Sequence, residues 1–409
     1  MDESFRKSTD KLNRVLLRKE EDAIQFRTVA NTVEREGELI EEQRSKKAKE
    51  ILERHGFDAF GKRVPGDKGY ASGNEYTTLA EESPSKIRED LPSAEEKGME
   101  MHEGLGGERE SSCITEELIK KAIEELNVEK EKELQIDISE LHETFEDPKC
   151  IKANISLDDV LSKKQKESKR KRNAPSKEKR AFVKNTVAHL ENGENASYLL
   201  NAPCVEKILI LVFAFLLHNG QLSREGQLIF FIDGAADLRL AIQSLFVDLL
   251  PFKIILDWFH LEKKCKERLS MAMNGKTIRN KVLDHIIPLL WHGKIETAIA
   301  YLQGLGEDSI KNQEEIKRLI SYFERNRSYI PCYALRQKLG LRVSSNRGEK
   351  ANDLAVSTRQ KHNGMSWSNS GSNSLATVTT LHLNNEQSGW LLNKKISFQF
   401  RNSSEKVAA

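Results

Sequence analysis

Leu228-Ile229-Phe230-Phe231-Ile232-Asp233-Gly234-Ala235 is the stretch from which the fold is read. Five apolar residues in a row, without polar alternation, predict a strand buried on both faces, as in a parallel sheet covered by helices. The run stops at a carboxylate followed by two small residues, which let a backbone or a phosphate approach the strand end. Before it, residues 204–217 read as a buried apolar helix. After it, residues 236–249 read as a helix and residues 252–256 as a second short strand, ending at Asp257. Ligands in open α/β sheets sit beyond the carboxyl ends of such strands, and both Asp233 and Asp257 stand there.

Working outward, residues 152–160, 181–190 and 197–200 read as three earlier strands, the last two joined by a turn at 191–195 rich in Asn and Gly. The order is β-β-β-α-β-α-β, an α/β class. Residues 258–340 are helical throughout, with segments at 258–273, 277–291, 294–304 and 313–326, and read as an all-helical insertion. A helix at 347–362 carries Glu349 and stops near Gly364. One more helix spans 372–384, and 393–409 read as a polar tail. Residues 113–257 and 341–392 are then the two parts of one core.

Ahead of the core, residues 3–56 read as two charged helices, an N-terminal arm for a partner or a DNA end. Residues 57–112, rich in Gly, Ser, Glu and Lys, read as a flexible linker. Thr115 followed by two Glu predicts a helix start, and residues 134–138 a short edge strand.

At 409 residues, two to three domains are expected. Net charge is only +2, with 38% hydrophobic and 31% charged residues, so the charge must be unevenly placed. Between Leu161 and Lys184 eleven Lys/Arg stand against two Glu. Five scattered cysteines without a C-x-x-C pair argue against a zinc ribbon and a disulfide framework, and point to reduced thiols in a cytosolic protein. Residues 1–30 are charged throughout, unlike a signal peptide. The apolar run 208–217 is too short to span a bilayer.

Three acidic positions are candidates for a pair of divalent metals that clamp a phosphodiester. The first is Asp158-Asp159 after Ile155-Ser156-Leu157. Alternation points these two side chains to opposite faces, and Asp158, first after the apolar run, is the preferred one. The second is Asp233 and the third Glu349. Asp353, one helical turn beyond Glu349, can substitute as a ligand, as Asp237 can for Asp233. Asp257 and His260, three apart, can orient a ligand or a DNA phosphate, or simply brace the fold. Lys163, Lys164, Lys166, Lys169, Arg170, Lys171 and Arg172 make a basic run close to the first carboxylate, suited to phosphate contact without sequence readout. Arg359, Lys361, His362 and Trp367 form a second candidate DNA face. Trp367 can stack on an unpaired base or lie in a core.

Several motifs, weak singly, are more specific in their order and spacing. They are Phe231-Ile232-Asp233-Gly234-Ala235, Ile255-Leu256-Asp257-Trp258-Phe259-His260-Leu261, Trp291-His292-Gly293-Lys294, Ser344-Ser345-Asn346 with Glu349-Lys350-Ala351-Asn352-Asp353, and Lys361-His362-Asn363-Gly364-Met365-Ser366-Trp367-Ser368. With them, residues 150–392 resemble the DDE-type transposases of bacterial insertion sequences, in the mutator-like lineages with a helical insertion before the Glu. The resemblance implies a ribonuclease-H-like mixed sheet, and Mg2+ or Mn2+ held by Asp158, Asp233 and Glu349. It implies hydrolytic nicking at element ends, attack of a 3′-hydroxyl on target DNA, and a homo-oligomer on paired ends, in the cytoplasm with the bacterial nucleoid. Asp257 and His260 match the Asp/Cys-x-x-His element of that family. One departure is Gly348, where an aliphatic residue is expected; a Gly there weakens a helix by about 1 kcal/mol. The N-terminal region has no zinc-binding cysteines. A metal-dependent nuclease without transfer, or a repurposed non-catalytic DNA-binding protein, would share most of these features.

Overall fold

The computed structural model describes residues 5–19, 22–64, 114–128, 130–140, 145–146, 148–165, 181–193, 196–222, 226–247, 249, 251–361 and 365–402. Most of the expected linker, and the basic positions Lys166, Lys169, Arg170, Lys171 and Arg172, lie outside the described residues, as does His362.

The chain begins with helices α1 (Phe5–Val15), α2 (Phe26–Arg54) and α3 (Glu116–Asn127). The α3 start follows from capping: the Thr115 side chain accepts from Leu118 N. Strands β1 (Ile151–Lys163), β2 (Phe182–Asn192) and β3 (Ala196–Ala202) come next, then α4 (Val205–His218), β4 (Gln227–Ile232), α5 (Ala236–Phe246) and β5 (Phe252–Leu256). Helices α6 (Trp258–Ala272), α7 (Lys276–Trp291), α8 (Ile295–Gln303), α9 (Gln313–Asn326) and α10 (Tyr333–Lys338) follow. The helix α11 (Asn346–Asn352) runs through a π-type turn at Asp353–Ser357 into α12 (Thr358–Gln360). Last are α13 (Asn369–Leu383), α14 (Gln387–Asn393) and the short β6 (Arg401–Asn402).

The strands form one mixed sheet of order β5-β4-β1-β2-β3-β6. β1, β2 and β3 are antiparallel neighbours, whereas β4 and β5 run parallel to β1. Both faces are covered, as the unbroken apolar run of β4 requires. Leu228, Phe230 and Ile232 join a core with α2, α4 and α5, while Ile229 and Phe231 join a second core with α6 to α9. The two faces alternate along β1 as well. Ile155 and Leu157 enter the first core, and Val160 packs with Val187, Val356 and Ala376 under the late helices.

Four expectations are corrected. β1 does not end near Val160 but pairs with β2 as far as Lys163, because its antiparallel partner continues after β4 has stopped at Ser156. Asp158 is therefore inside a strand. The edge strand expected at 134–138 is instead a stretch bounded by two 3-10 turns, Lys132–Leu134 and Ile138–Glu140; Ile136 is buried against Ala122, Ile123 and Leu335.

The expected arm is in large part core. Ile40, Ala48, Ile51 and Leu52 of α2 are buried with α4. Gly37 lies so close to Ser374 of α13 that a Cβ there would stand 2.4 Å from Ser374 Cβ. Buried Arg44 donates to Asn201 Oδ1 and Thr380 Oγ1. The expected tail is also anchored up to Asn402: Phe398 is buried among aromatic rings, and β6 pairs with β3.

The late helices are fixed on β1 and β2 by buried hydrogen bonds rather than by apolar contact alone. Ser162 Oγ and Ser372 Oγ both donate to Gln360 Oε1, and Asn185 Nδ2 donates to Ser372 Oγ. Buried hydrogen-bond networks of this kind favour one docking geometry over others. Trp367 belongs to the same anchorage. Its backbone N–H donates to Lys163 O at 2.9 Å, its indole donates to Gln360 O at 3.1 Å, and it is 8% exposed. It is a core residue, and its ring is not free to stack on a base.

Candidate metal centre

Three elements bring the chemistry together. Asp158 comes from β1, beyond the last rung it shares with β4. His260 sits in the first turn of α6, directly after β5. Glu349 sits in the first turn of α11, which lies across β1 and β2. One ligand atom from each of Asp158, His260 and Glu349 falls within 4.8 Å of the others. His260 Nε2 is 3.2 Å from Glu349 Oε1 and 3.8 Å from Asp158 Oδ1. They line a cleft of about 260 Å³ that also presents Asp233, Asp353, Lys263, Lys264 and Lys361.

The face preference of β1 separates the two neighbouring acids. Asp158 Oδ2 accepts from Asn352 Nδ2 at 2.8 Å. Asp159 instead accepts from Thr186 Oγ1 at 2.6 Å and pairs with Lys184 at 2.5 Å. Asp233 faces the cleft, but its carboxylate accepts from Ala235 N at 2.8 Å, closing the turn, and it is not part of the three-residue group. Gly234 makes that turn possible, with φ +86 and neighbours within 3.1 Å of a Cβ position. Tyr322 donates to Asp233 O at 3.0 Å from the helical insertion.

Asp257 stands behind the cleft rather than in it. It is 1% exposed, caps α6 by accepting from Phe259 N at 3.0 Å, and accepts from Ser344 Oγ at 2.7 Å and from Ser345 Oγ. Its Oδ2 lies 3.5 Å from His260 Nδ1. Asp257 thus ties the end of β5, the start of α6 and the segment before Glu349 into one support.

The electrostatics are those of a crowded acidic cleft. Burial pushes Asp158 above the ordinary carboxylate range, and the charges of Asp233 and Asp159 add to it against His260. Glu349 is raised by burial, with Asp158 and Asp257 adding against His260 and Lys263. Burial works to lower His260, but Asp257, Asp158 and Glu349 outweigh it and the imidazole is raised. Asp257 is lowered: burial works upward, and His260, Ser345 and Ser344 overcome it.

A divalent cation fits these residues. Glu349 Oε1 is buried and accepts no hydrogen bond, a costly state for a carboxylate oxygen. The carboxylates repel one another, and a cation relieves both conditions.

Of the remaining sequence candidates, Lys361 lines the cleft, whereas Lys163, Lys164 and Arg359 are not among its lining residues. Asp353 lines it from an exposed position, and Asp237 is exposed outside it. The sequence reading missed Asn352, Lys263, Lys264 and the Ser344-Ser345 support as parts of the site. Spacing held a signal for three of these. Asn352 lies three residues after Glu349, and Lys263 and Lys264 lie three and four after His260, which places each on a shared helix face. No family model, curated protein or solved structure matches this chain.

Proposed function

We propose that this chain is a DDE-type DNA transposase with a ribonuclease-H-like core, nicking phosphodiesters at the ends of an insertion element and joining the 3′-hydroxyl to target DNA. The observation that carries this reading is the meeting of Asp158 and Glu349, far apart in sequence, with His260 in a cleft that Asp233 also lines. The sheet order supports the fold: three antiparallel strands, then two strands parallel to the first, with the acids at or beyond the ends of the parallel rungs. Mg2+ or Mn2+ held by the acids would supply stabilisation of charge on the phosphodiester oxygens and activation of the attacking hydroxyl.

The chain's own residues do the positioning. Asn352 orients Asp158, and Asp257 steadies His260. Lys263, Lys264 and Lys361 stand where the phosphates flanking the reacting bond would lie. Lys163 and Lys164 lead from β1 toward the basic stretch that continues through Arg172. The partners are the element ends and target DNA, with a homo-oligomer holding paired ends. Among the described residues no helix is long and apolar enough to cross a membrane.

The test is incubation of the full chain with labelled element-end DNA, target plasmid and Mg2+ or Mn2+, beside Glu349→Gln. Nicked and joined products that vanish in the variant support transposition. Cleavage without joining points to a nuclease. Binding without cleavage, equal in both proteins, points to a repurposed DNA-binding protein.

A further inference from the structure

Building and resting on the metal-dependent reading of this cleft, we propose that His260 is itself a metal ligand, so that Asp158, His260 and Glu349 bind a first-row transition-metal ion such as Mn2+ in preference to Mg2+.

His260 Nε2 points at the place where the two carboxylates meet, 3.2 Å from Glu349 Oε1 and 3.8 Å from Asp158 Oδ1. Its other ring nitrogen faces Asp257 Oδ2 at 3.5 Å. A carboxylate behind an imidazole is the arrangement that sets the tautomer and orientation of metal-bound histidines and makes them better donors. Asp257 is placed for that task while also capping α6 and holding Ser344 and Ser345. It is buried, and it is held from three sides by Phe259 N, Ser344 and Ser345.

A plain ion pair between an imidazolium and the two acids accounts for the structure less well. It would place an aligned hydrogen bond on Glu349 Oε1, which lies 3.2 Å from His260 Nε2 but accepts none. Asp233, the residue an all-carboxylate set requires, lies outside the group, with its Oδ1 accepting from Ala235 N. Imidazole nitrogen suits transition-metal ions, whereas Mg2+ takes oxygen donors and water. The donor set of one nitrogen and two carboxylates therefore selects against Mg2+.

The experiment uses Mn2+ as the probe on the full chain. Binding is followed by electron paramagnetic resonance, and nitrogen coupling to the bound ion by pulsed methods. Wild type is expected to bind Mn2+ with nitrogen coupling from one imidazole. Asp257→Asn should weaken Mn2+ about 10- to 100-fold, the usual effect of removing such a support. His260→Gln should lose the nitrogen coupling and weaken Mn2+ at least as much, with little change in Mg2+ affinity measured by competition. No Mn2+ binding by wild type, or binding without nitrogen coupling, overturns the proposal, and both are read on wild type, so a variant that fails to fold does not obscure them. The failures are separable. Nitrogen-coupled Mn2+ with no action on DNA sinks the transposase reading and leaves His260 a ligand. DNA joining without nitrogen coupling sinks only the ligand role.

Discussion

Gly348 lies against Ser156 at a distance that leaves no room for a side chain: a Cβ on Gly348 would stand 2.7 Å from Ser156 Cβ. The start of α11 is thereby pressed onto β1, two residues from Asp158 and one residue before Glu349. A glycine inside a helix is otherwise a cost of about 1 kcal/mol, so Gly348→Ala would stabilise an open position. Here the expected result is the opposite. Overpacking should destabilise the fold by about 1–3 kcal/mol and displace Glu349; on the proposed function, a shift of about 1 Å at such a group can cost on the order of a hundredfold in rate. Urea unfolding and DNA cleavage of Gly348→Ala check this, and Ser156→Gly in the same chain should restore both. A more stable, fully active Gly348→Ala would show that the close approach does not matter.

Asp158 and Asp159 are adjacent in sequence but not in role. Asp158→Asn removes a carboxylate from the three-residue group. The loss expected is several kcal/mol of transition-state stabilisation, a rate reduction beyond about a hundredfold. Asp159 also lines the cleft, but Asp159→Asn leaves the three-residue group intact and breaks the pairing with Lys184 and Thr186. Since that pair is partly open to solvent, the change should cost about 0–1 kcal/mol in stability and leave cleavage close to wild type. Equal losses in both variants would contradict the facing of β1.

The parts legible in the sequence were those written in apolar pattern. The run Leu228–Ile232 and its partner ending at Asp257 announced buried parallel strands, and the segment 313–326 had a clear helical period. Polar packing was not legible in that way. β1 was cut short because, past Asp158, it pairs only with the start of β2, Phe182-Val183-Lys184-Asn185-Thr186, where Lys184, Asn185 and Thr186 break the apolar pattern. The role of α2 was hidden because its buried face includes Arg44 and Gly37 beside Ile40 and Ala48. Trp367 was ambiguous because the bonds that hold it go to the backbone carbonyls of Gln360 and Lys163, which residue type does not reveal. At the site, the carboxylates and His260 were visible as residue types. That Asp233 turns to its own backbone while His260 turns to Glu349 depends on rotamers that spacing does not encode.

Leu52 distinguishes an arm from a core element. It is 0% exposed and packs in the cluster that holds Phe213, Phe215 and Phe230. Leu52→Ala should therefore lower unfolding free energy by about 2–5 kcal/mol, as for other buried leucines. An appended helix would lose far less, in keeping with the usual surface change within about 0.5 kcal/mol. Chemical denaturation followed by a probe in the sheet decides between them; an unchanged midpoint would mean that α2 docks weakly.

The cleft groups of the metal-free protein should contribute less stability as pH rises through the acidic and neutral range, whereas His55, His218 and His292, lowered by burial, act the other way. Asp158 and Glu349 have folded values raised above their ordinary 3.8 and 4.5, so above those values the folded chain holds more protons than the unfolded one. Their contribution to stability then falls with pH until the raised values are passed. His260 is likewise raised above 6.5; its contribution is complete below 6.5 and is lost as pH climbs through the folded value. Asp257, lowered, acts the other way at the acid end, contributing above 3.8 and failing as pH falls through its folded value. A bound divalent ion takes over the work of these protons, so saturating Mn2+ should raise stability and flatten or reverse the slope above 6.5. Denaturation curves with and without Mn2+ across this range check the sign. A slope between 4.5 and 6.5 that Glu349→Gln leaves unchanged would show that the cleft acids are not held in the crowded state described.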